Sequence, residues 1–461
     1  MSDGILGASF RDPSGFVFER EGVIYRQINR SYAPHYEQLM RSGLCAELTD
    51  KRLLIPHEEV TGVDSESGDA HLTLRPERVA FISHPYEWSF SQLKDAALTT
   101  LQAQQTALRH GMTLKDASAY NVQFHRGRPI LIDTLSFETY REGAPWVAYR
   151  QFCQHFLAPL ALMAHRDPRL GQLLAVHLDG IPLDLARSLL PARTLLNLQL
   201  WLHVRLHARF QSRYSADPKA GARVRPVSKR SLMNLIAMLT SAVRSLRWDP
   251  GGTEWAEYTA SDSYSKASHE HKRGLVSDHL AALGPREVWD LGANTGEFSR
   301  IAAARGIRTL AFDADPACVD RNYREARDGK ETRLLPLLVD LTNPSPALGW
   351  AHRERASLVQ RRSADVVLAL ALVHHLAISN HVPLPRVASF FASLAEGLIV
   401  EFVPKSDPKV ATLLATREDV FPTYTREGFE SAFATCFELE ATDPLVESER
   451  ILYRMRRLPN S

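Results

Sequence analysis

The chain of 461 residues is poor in cysteine and has no hydrophobic run long enough to cross a membrane. Its four cysteines, Cys45, Cys153, Cys318 and Cys436, form no Cys-x-x-Cys pair, which argues against a disulfide framework or a structural zinc site. The longest uncharged apolar run, "VVLALALV" at 366–373, suits a buried strand. The N-terminus lacks a basic start followed by an apolar core, so we expect no secretory signal and a reducing, cytoplasmic location.

A strong charge imbalance is also missing, since the formal net charge is +2. The hydrophobic content of 44% is ordinary for a globular protein. The length predicts two or three domains. Residues 1–145 alternate short β-like runs with turns and contain one helix, from a Ser89 cap to Gly111, and residues 146–250 have helical patterns throughout. In residues 255–461 strand and helix patterns alternate, which predicts a parallel α/β sheet after a linker at "WDPGGT", 248–253.

One stretch is strongly basic: from His203 to Trp248 there are ten Lys or Arg and one acidic residue, Asp217. Within it, "SLMNLIAMLTSAVRSL" has apolar residues on one helical face, which favours a packed helix with a solvated basic side. The alternative is a surface for phosphate-bearing partners such as nucleic acid, anionic lipid or a phosphorylated glycan.

The stretch "EVWDLGANTGEFSR", from residue 287, combines a buried strand, a glycine-rich turn and the start of a helix. Asp290 lies near the strand's end, Gly292 permits a tight turn and Gly296 lets the helix start close to the strand. With little side-chain bulk and with unused backbone N–H groups, this turn is expected to hold a ligand at the helix N-terminus. Asn294 stands where a dinucleotide site has a second glycine, and Asn tolerates a left-handed backbone.

Carboxylates end the next two predicted strands. Asp313 closes "RTLAFD" at the distance expected for an acid that binds two ribose hydroxyls. Asp340 closes "RLLPLLVD" and is followed by the apolar Leu341. Two more strand patterns, "ADVVLALALVHHL" and "GLIVEFVPKSDP", precede "CFELEATDPL…ERILYRMRR", which predicts an antiparallel hairpin. Open α/β sheets bind ligands at the carboxyl ends of their strands, where these acids cluster.

This order of motifs resembles the class I S-adenosylmethionine-dependent methyltransferases over about 260–461. Within that family, "EFVPKSDPKV" and "REDVFPTYTREGFESAF" resemble the members related to the nodulation protein NoeA. The resemblance implies a Rossmann-like sheet and S-adenosylmethionine as the cofactor. Asp290 and the loop Gly292–Gly296 would face its methionine part, Asp313 would hold the ribose, and Asp340 would accept the adenine amino group, with Leu341 against the ring.

The resemblance further implies a lid over the cofactor in residues 255–274, with Tyr258, Tyr264 and Lys272 as candidates. Methyl transfer is an in-line displacement, so a protein contributes alignment and, for a hydroxyl or ammonium nucleophile, a general base.

The candidate catalytic residues are His374 and His375, expected at the end of the fourth strand, and Glu401, at the end of the fifth. The histidine pair equally fits a loop that packs and bonds backbone. The Asn-Pro-Pro-aromatic signature of enzymes that methylate amino groups of nucleobases is missing, which disfavours that substrate class.

A second constellation lies in "TLKDASAYNVQFHRGRPILIDTLSF". Asp116, Asn121 and Asp133 have the order that phosphoryl transfer uses, with one carboxylate at the acceptor hydroxyl, then an amide and a carboxylate on magnesium. The run, over about 15–200, resembles the catalytic core of protein kinases and aminoglycoside phosphotransferases. No His precedes Asp116, no Phe-Gly follows Asp133, no G-x-G-x-x-G loop is found, and Arg26 stands where a lysine is expected.

Three interpretations of this α+β part stay open: an inactive kinase-like module that binds the acceptor or a partner, an active kinase that uses ATP and magnesium, and a chance match. The sequence as a whole predicts an S-adenosylmethionine-dependent methyltransferase, with a glycan or secondary-metabolite acceptor suggested by the family resemblance. The alternatives are a bifunctional kinase–methyltransferase, a nucleic-acid methyltransferase that uses the basic region, and a non-enzymatic binding scaffold.

Overall fold

The computed structural model describes residues 4–63, 67–196, 200–206, 226–249, 265–361, 363–415 and 418–459. The chain divides into two compact units. The N-terminal unit comprises Met1–Asp249 and Ala347–Arg355, and the C-terminal unit comprises Pro250–Pro346 and Ala356–Ser461. Most of the predicted linker, residues 250–253, lies outside the described residues. No helix in the described ranges is long and apolar enough to cross a membrane.

The N-terminal unit begins with a five-stranded antiparallel sheet. Its strands are β1 Gly4–Ile5, β2 Gly15–Arg20, β3 Val23–Asn29, β4 His57–Val60 and β5 Ala70–Pro76, in the order β1-β2-β3-β5-β4. Two helices, α1 Ala33–Arg41 and α2 Leu44–Asp50, lie between β3 and β4 in the chain. Phe16 and Phe18 alternate along β2. Phe18, which is buried, lies opposite Tyr25 of β3 with ring centres 5.5 Å apart.

The long helix predicted from the sequence is confirmed as α3, Phe90–Arg109. Ser89 caps it by accepting the Gln92 N–H at 3.4 Å, and the Gln92 side chain returns a bond to the Ser89 N–H. Gly111, at φ 74°, lets the chain leave the helix. Two antiparallel pairs follow, β6 Met112–Leu114 with β9 Phe137–Thr139 and β7 Val122–His125 with β8 Arg128–Leu131. The second pair is a hairpin with a two-residue turn, Arg126–Gly127.

The rest of this unit is helical in the described residues, as predicted. Its elements are α4 Tyr149–Phe152, a π-helical turn Cys153–Leu157, α5 Ala158–His165, α6 Leu173–Val176, α7 Leu183–Leu189, a π-helical turn Trp201–Leu206 and α8 Lys229–Ser245. Helix α8 packs against α3 and buries Leu232, Ile236, Leu239 and Val243. This packing agrees with the interpretation of "SLMNLIAMLTSAVRSL" as a helix with one buried face. Residues 207–225 of the basic stretch lie outside the described residues.

The C-terminal unit is built on a seven-stranded sheet. Its strands are β10 Glu287–Leu291, β11 Arg308–Asp313, β12 Leu334–Leu338, β13 Ala364–Ala369, β14 Ala395–Phe402, β15 Phe437–Pro444 and β16 Ile451–Arg457, in the order β12-β11-β10-β13-β14-β16-β15. The first five strands in this order are parallel neighbours, and β16 is antiparallel to both β14 and β15. The predicted antiparallel hairpin is therefore confirmed.

Helices connect these strands and cover the sheet. They are α9 Lys266–Leu283, α10 Glu297–Ala304, α11 Pro316–Asp328, α12 Leu358–Arg361, α13 Leu384–Leu394, α14 Pro408–Leu414 and α15 Arg426–Phe433. Val288, Val366 and Ile399 of three adjacent strands share one core cluster with Val276 and Leu280 of α9. The strand order reverses between β10 and β13, and ligands of open α/β sheets bind at the carboxyl ends of the strands at such a point.

One strand is shorter than the sequence predicts. Strand β13 ends at Ala369, although the apolar pattern continues to the histidine pair. Ala371 has a left-handed backbone at φ 50°, which ends the extended run, and a π-helical turn follows at His375–Ser379. The histidines therefore lie in a helical turn beyond the strand.

Candidate functional site

The loop after β10 is shaped by three left-handed residues, Gly292 at φ 74°, Asn294 at φ 50° and Gly296 at φ 84°. At Gly292 and Gly296, glycine is needed both for the left-handed backbone and because neighbouring side chains leave little room for a Cβ atom. A Cβ on Gly296 would lie 2.4 Å from the side-chain nitrogen of Asn322, and one on Gly292 would lie 3.2 Å from Cδ1 of Leu372. The loop therefore packs closely against helix α11 on one side and the segment after β13 on the other.

The backbone N–H groups of this loop are used inside the protein. Gly292 and Ala293 donate to the Phe312 carbonyl at 2.9 Å each, Asn294 donates to Asp313 Oδ2 at 2.7 Å, Thr295 donates to Asn294 Oδ1 at 2.7 Å, and Gly296 donates to the Ala293 carbonyl at 2.9 Å. The expectation that the turn offers unused N–H groups is therefore wrong. A pyrophosphate bound on this loop would need such donors.

Two carboxylates border the loop. Asp290 is only 2% exposed and accepts the Ser299 hydroxyl at 2.6 Å. Burial raises the pKa of Asp290 to about 6. Asp313 accepts N–H groups from Asn294 and Asp315 at 2.7 and 2.8 Å, and burial raises its pKa to about 6 as well. A nearby cation or hydroxyl donor would favour the charged form of both acids.

Asp340 continues the row of acids at this edge of the sheet. It follows β12, is exposed, and its Oδ1 accepts the N–H and the hydroxyl of Thr342 at 2.8 and 2.7 Å. The Val339 N–H donates to the Asp313 carbonyl at 2.9 Å, which holds this segment beside the end of β11. Leu341 is half-buried. The structure thus places Asp290, Asp313 and Asp340 at the ends of three neighbouring strands, β10, β11 and β12.

Lys272 lies on α9, and its side chain is buried. Its Nζ is 2.7 Å from Glu401 Oε2, with the two side chains 3% and 0% exposed, and 4.7 Å from the centre of the Phe298 ring. The second Glu401 oxygen is 3.7 Å from Arg450 Nη1, and Arg450 Nε donates to Asp407 Oδ2 at 2.7 Å. With a cation near each oxygen, Glu401 is poorly suited to take a proton. The other lid candidates, Tyr258 and Tyr264, lie outside the described residues.

His374 is 1% exposed, and within the described residues neither of its ring nitrogens has a hydrogen-bond partner. Burial, helped by the positive charges of Arg450 and Lys272, holds the pKa of His374 well below its usual range. The His375 ring centre is 4.1 Å away, and burial lowers the pKa of His375 to about 4. Both rings are therefore neutral at neutral pH, and the lowered pKa values make each a weaker base than a free imidazole.

Sequence reasoning missed several residues that build this site. Ser299 had a local signal, since it follows the glycine loop in the first turn of α10, where a side chain can bond back to Asp290. Asn322, Asp407 and Arg450 had none. Arg450 and Asp407 are 43 residues apart in the chain, and only the fold brings them together.

The kinase-like residues of the N-terminal unit also come together. Asn121 Nδ2 donates to Ser136 Oγ at 3.1 Å, and the Ser136 hydroxyl donates to Asp133 Oδ2 at 2.5 Å. Asp116 is bonded by Asn121, and burial raises its pKa. Arg26, on β3, forms an ion pair with Asp133. Among the residues that the structure describes, no three His, Cys, Asp or Glu side chains form a group that could hold a metal ion.

No protein-family model matches the chain. Similar solved structures include the magnesium protoporphyrin IX methyltransferase of Synechocystis PCC 6803, with 19% identity over 44% of this chain and 94% of that one, at a TM-score of 0.32. The N-methyltransferase NodS of Bradyrhizobium japonicum WM9 matches with 10% identity over 42% and 98%, at a TM-score of 0.32. The bifunctional kinase-methyltransferase WbdD matches with 16% identity over 45% of this chain but only 43% of its own, at a TM-score of 0.30. These TM-scores are too low to establish a shared fold.

A relative matches along almost the whole sequence. The nodulation protein NoeA of Rhizobium meliloti (strain 1021) is 37% identical over 465 residues, which cover 98% of this chain and 96% of the relative. Both units lie within that match. The chain belongs to the family of the nodulation protein NoeA.

Proposed function

We propose that the C-terminal unit is an S-adenosylmethionine-dependent methyltransferase. The observation that carries the proposal is the polarity of the loop after β10, where every N–H from 292 to 296 is used internally and the bordering groups are carboxylates. Such a site suits a ligand whose polar groups are cations or donors. S-adenosylmethionine has an ammonium, a sulfonium, two ribose hydroxyls and an adenine amino group, and its only anionic group is one carboxylate. A dinucleotide would instead bring its two pyrophosphate charges next to the carboxylates of Asp290 and Asp313.

The strand order supports distinct positions for these acids along an extended ligand. Asp290 and the loop Gly292–Gly296 would face the methionine part, Asp313 at the end of β11 would accept the ribose hydroxyls, and Asp340 at the end of β12 would accept the adenine amino group beside Leu341. This assignment agrees with the reversal of strand order between β10 and β13, which defines the crevice at that edge.

When bound, the sulfonium supplies a methyl group that is already electrophilic. What the chain itself adds is alignment and a place for the proton of the acceptor. His374 is the best candidate for that proton, because it is neutral and its ring nitrogens have no partner within the described residues. The cations of Lys272 and Arg450 oppose a lasting charge on its ring, so the proton would pass on to solvent by way of the adjacent, half-buried His375. His375 is the second candidate.

For the N-terminal unit we propose a role in holding the acceptor or a partner. An acceptor from glycan or secondary-metabolite synthesis is the substrate class that the family resemblance implies. This half of the proposal is independent of cofactor binding by the C-terminal unit.

Calorimetry of the full chain with S-adenosylmethionine and S-adenosylhomocysteine tests the proposal. We expect saturable binding of both, and Asp313→Ala should weaken it by about tenfold or more, because charge-assisted hydrogen bonds are lost. The matched control is Asp328→Ala, since that carboxylate is 70% exposed and remote from the loop in sequence. Absence of binding by the wild type, or equal affinity in both variants, would contradict the proposal.

A further inference from the structure

Each element that contacts the nucleotide in a kinase has a corresponding position in the N-terminal unit. In kinases a loop between the first two strands covers the phosphates, a lysine on the third strand contacts them, and an amide and a carboxylate hold magnesium. Here the corresponding positions are the loop 6–14 between β1 and β2, Arg26 on β3, and the pair Asn121 and Asp133.

The donor set does not fit magnesium. Asp133 Oδ1 is bound by the Arg26 guanidinium and accepts the Leu135 N–H at 3.1 Å, while Oδ2 accepts the Ser136 hydroxyl at 2.5 Å. Asn121 turns its NH₂ toward Ser136. Magnesium needs oxygen ligands at about 2.1 Å in an octahedral arrangement. At Asp133 it would meet a carboxylate whose charge is already neutralised, and it would lie close to a second cation.

The Arg26–Asp133 pair is well shielded, since the two side chains are only 13% and 14% exposed. A guanidinium cannot give up its charge in a protein, and its planar fork is strongly suited to a carboxylate. A lysine at this position could swing between a carboxylate and a phosphate. Arginine in this pair therefore acts as a fixed cation at the place where a kinase binds its metal.

The loop 6–14 is likewise held by the chain itself. Gly7 lies so close to residue 353 that a Cβ on it would be 2.4 Å from the Arg353 carbonyl oxygen. Arg11 forms an ion pair with Glu354, whose side chain is 4% exposed. Both partners belong to Ala347–Arg355, a segment of the N-terminal unit although it follows β12 in the chain. A loop with these contacts is not available to fold over phosphates.

The same segment reaches the counterpart of the catalytic loop. The Arg355 guanidinium lies 4.0 Å from the centre of the Tyr120 ring, and Tyr120 is the residue before Asn121. An arginine over an aromatic face is a favourable contact. Arg26 thus pairs with the carboxylate at the metal position. The segment Ala347–Arg355 contacts both the loop 6–14 and, through Arg355, the turn that carries Asn121.

We infer that the N-terminal unit is a kinase-like module in which the Arg26 guanidinium replaces the divalent cation and residues 347–355 hold in place the loop 6–14 that would otherwise cover a nucleotide. The unit therefore takes no magnesium nucleotide and transfers no phosphoryl group. This inference goes beyond the proposed methyltransferase function and does not depend on it.

The test uses the full chain. Calorimetry with magnesium and ATP should give no saturable binding to the wild type, that is, no affinity tighter than about 1 mM. Arg26→Met keeps the apolar stem and removes the cation. We expect this variant to bind manganese, measured from the spin-resonance signal of the free ion, about tenfold more tightly than the wild type. The double variant with Asp133→Asn is the matched control and should lose the gain.

Two results would overturn the inference: a wild type that binds magnesium and ATP in a manner abolished by Asp133→Asn, or a folded Arg26→Met that gains no manganese affinity. Circular dichroism shows whether Arg26→Met folds. If it does not, magnesium–ATP binding by the wild type, compared with that by Asp133→Asn, still tests the inference. S-adenosylmethionine is titrated into the same samples. Failure of that titration alone counts against the methyltransferase proposal and leaves this one standing.

Discussion

Asp290 shows at the scale of one residue what a buried carboxylate costs in stability. It is 2% exposed, and burial raises its pKa from 3.8 to about 6. Because the folded pKa lies above the unfolded one, the acid stabilises the fold most below the unfolded pKa. That contribution is lost as the pH rises through the folded pKa. At neutral pH the carboxylate is ionised inside the protein, where a bound cation would offset the cost.

Asp290→Asn should therefore stabilise the ligand-free protein at about pH 8 while weakening cofactor binding. A shift of about two pKa units corresponds to roughly 3 kcal/mol, which is the upper limit of the gain. Thermal unfolding of the variant should also depend less on pH between about pH 4 and about pH 8. Asp328→Asn, on an exposed carboxylate, should leave both properties unchanged. A variant less stable than the wild type at about pH 8 would show that the Ser299 bonds outweigh the cost of burial.

The residues of the site that could be predicted from sequence are those with local signals. Asn294 has the left-handed backbone that its residue type permits. The three acids lie at the ends of neighbouring strands, and each could be predicted there because a strand pattern precedes it in the sequence. Lys272, a lid candidate by the family resemblance, is buried against Glu401, 129 residues away in the chain. No local sequence pattern indicates a partner at that separation, so the ion network of Lys272, Glu401 and Arg450 could not be predicted.

At the scale of elements, the glycine loop sets the distance between β10 and the helices around it. Gly296 has φ 84°, and its position leaves no room for a Cβ beside Asn322 of α11. Gly306, in the turn after α10, has φ 80°, but nothing lies within 4 Å of where its Cβ would be. The two glycines thus share a backbone conformation and differ in their surroundings.

Gly296→Ala and Gly306→Ala should separate these two effects. In both variants a left-handed alanine lowers the free energy of unfolding by about 1–2 kcal/mol. Only Gly296→Ala adds a clash with Asn322, so its free energy of unfolding should fall by about another 1–3 kcal/mol. Chemical denaturation of the C-terminal unit within the full chain measures the difference. Equal losses would mean that Asn322 can move aside and that the loop does not depend on close packing.

The elements themselves were largely predictable, because their hydrophobic periods are clear. The hairpin β15–β16 and helix α3 are where the sequence puts them. The end of β13 was not predictable, since "VVLALALV" stays apolar past Ala369 and nothing in it indicates the left-handed Ala371.

At the scale of the whole molecule, the chain does not divide at one point. Ala347–Arg355 belongs to the N-terminal unit although residues on both sides of it belong to the C-terminal unit. The sequence of this segment, "ALGWAHRER", has no period or motif that indicates such a return. A division by composition alone therefore assigns it to the wrong half. Its contacts with Gly7, Arg11 and Tyr120 are long-range and depend on the assembled fold.

Hydrogen exchange of the full chain can assign each ligand to its unit. S-adenosylmethionine should slow exchange in peptides that cover 287–315 and 338–342, because those segments contain the glycine loop and the three acids. Peptides covering 112–139, with the kinase-like residues, should be unchanged by S-adenosylmethionine and also by magnesium with ATP. Asp313→Ala should remove the first effect, which shows that protection follows binding. Protection of 112–139 by magnesium and ATP would contradict the role assigned to Arg26, whereas absence of protection at 287–315 would contradict the cofactor site. The two failures fall on different peptides, so one experiment judges each unit separately.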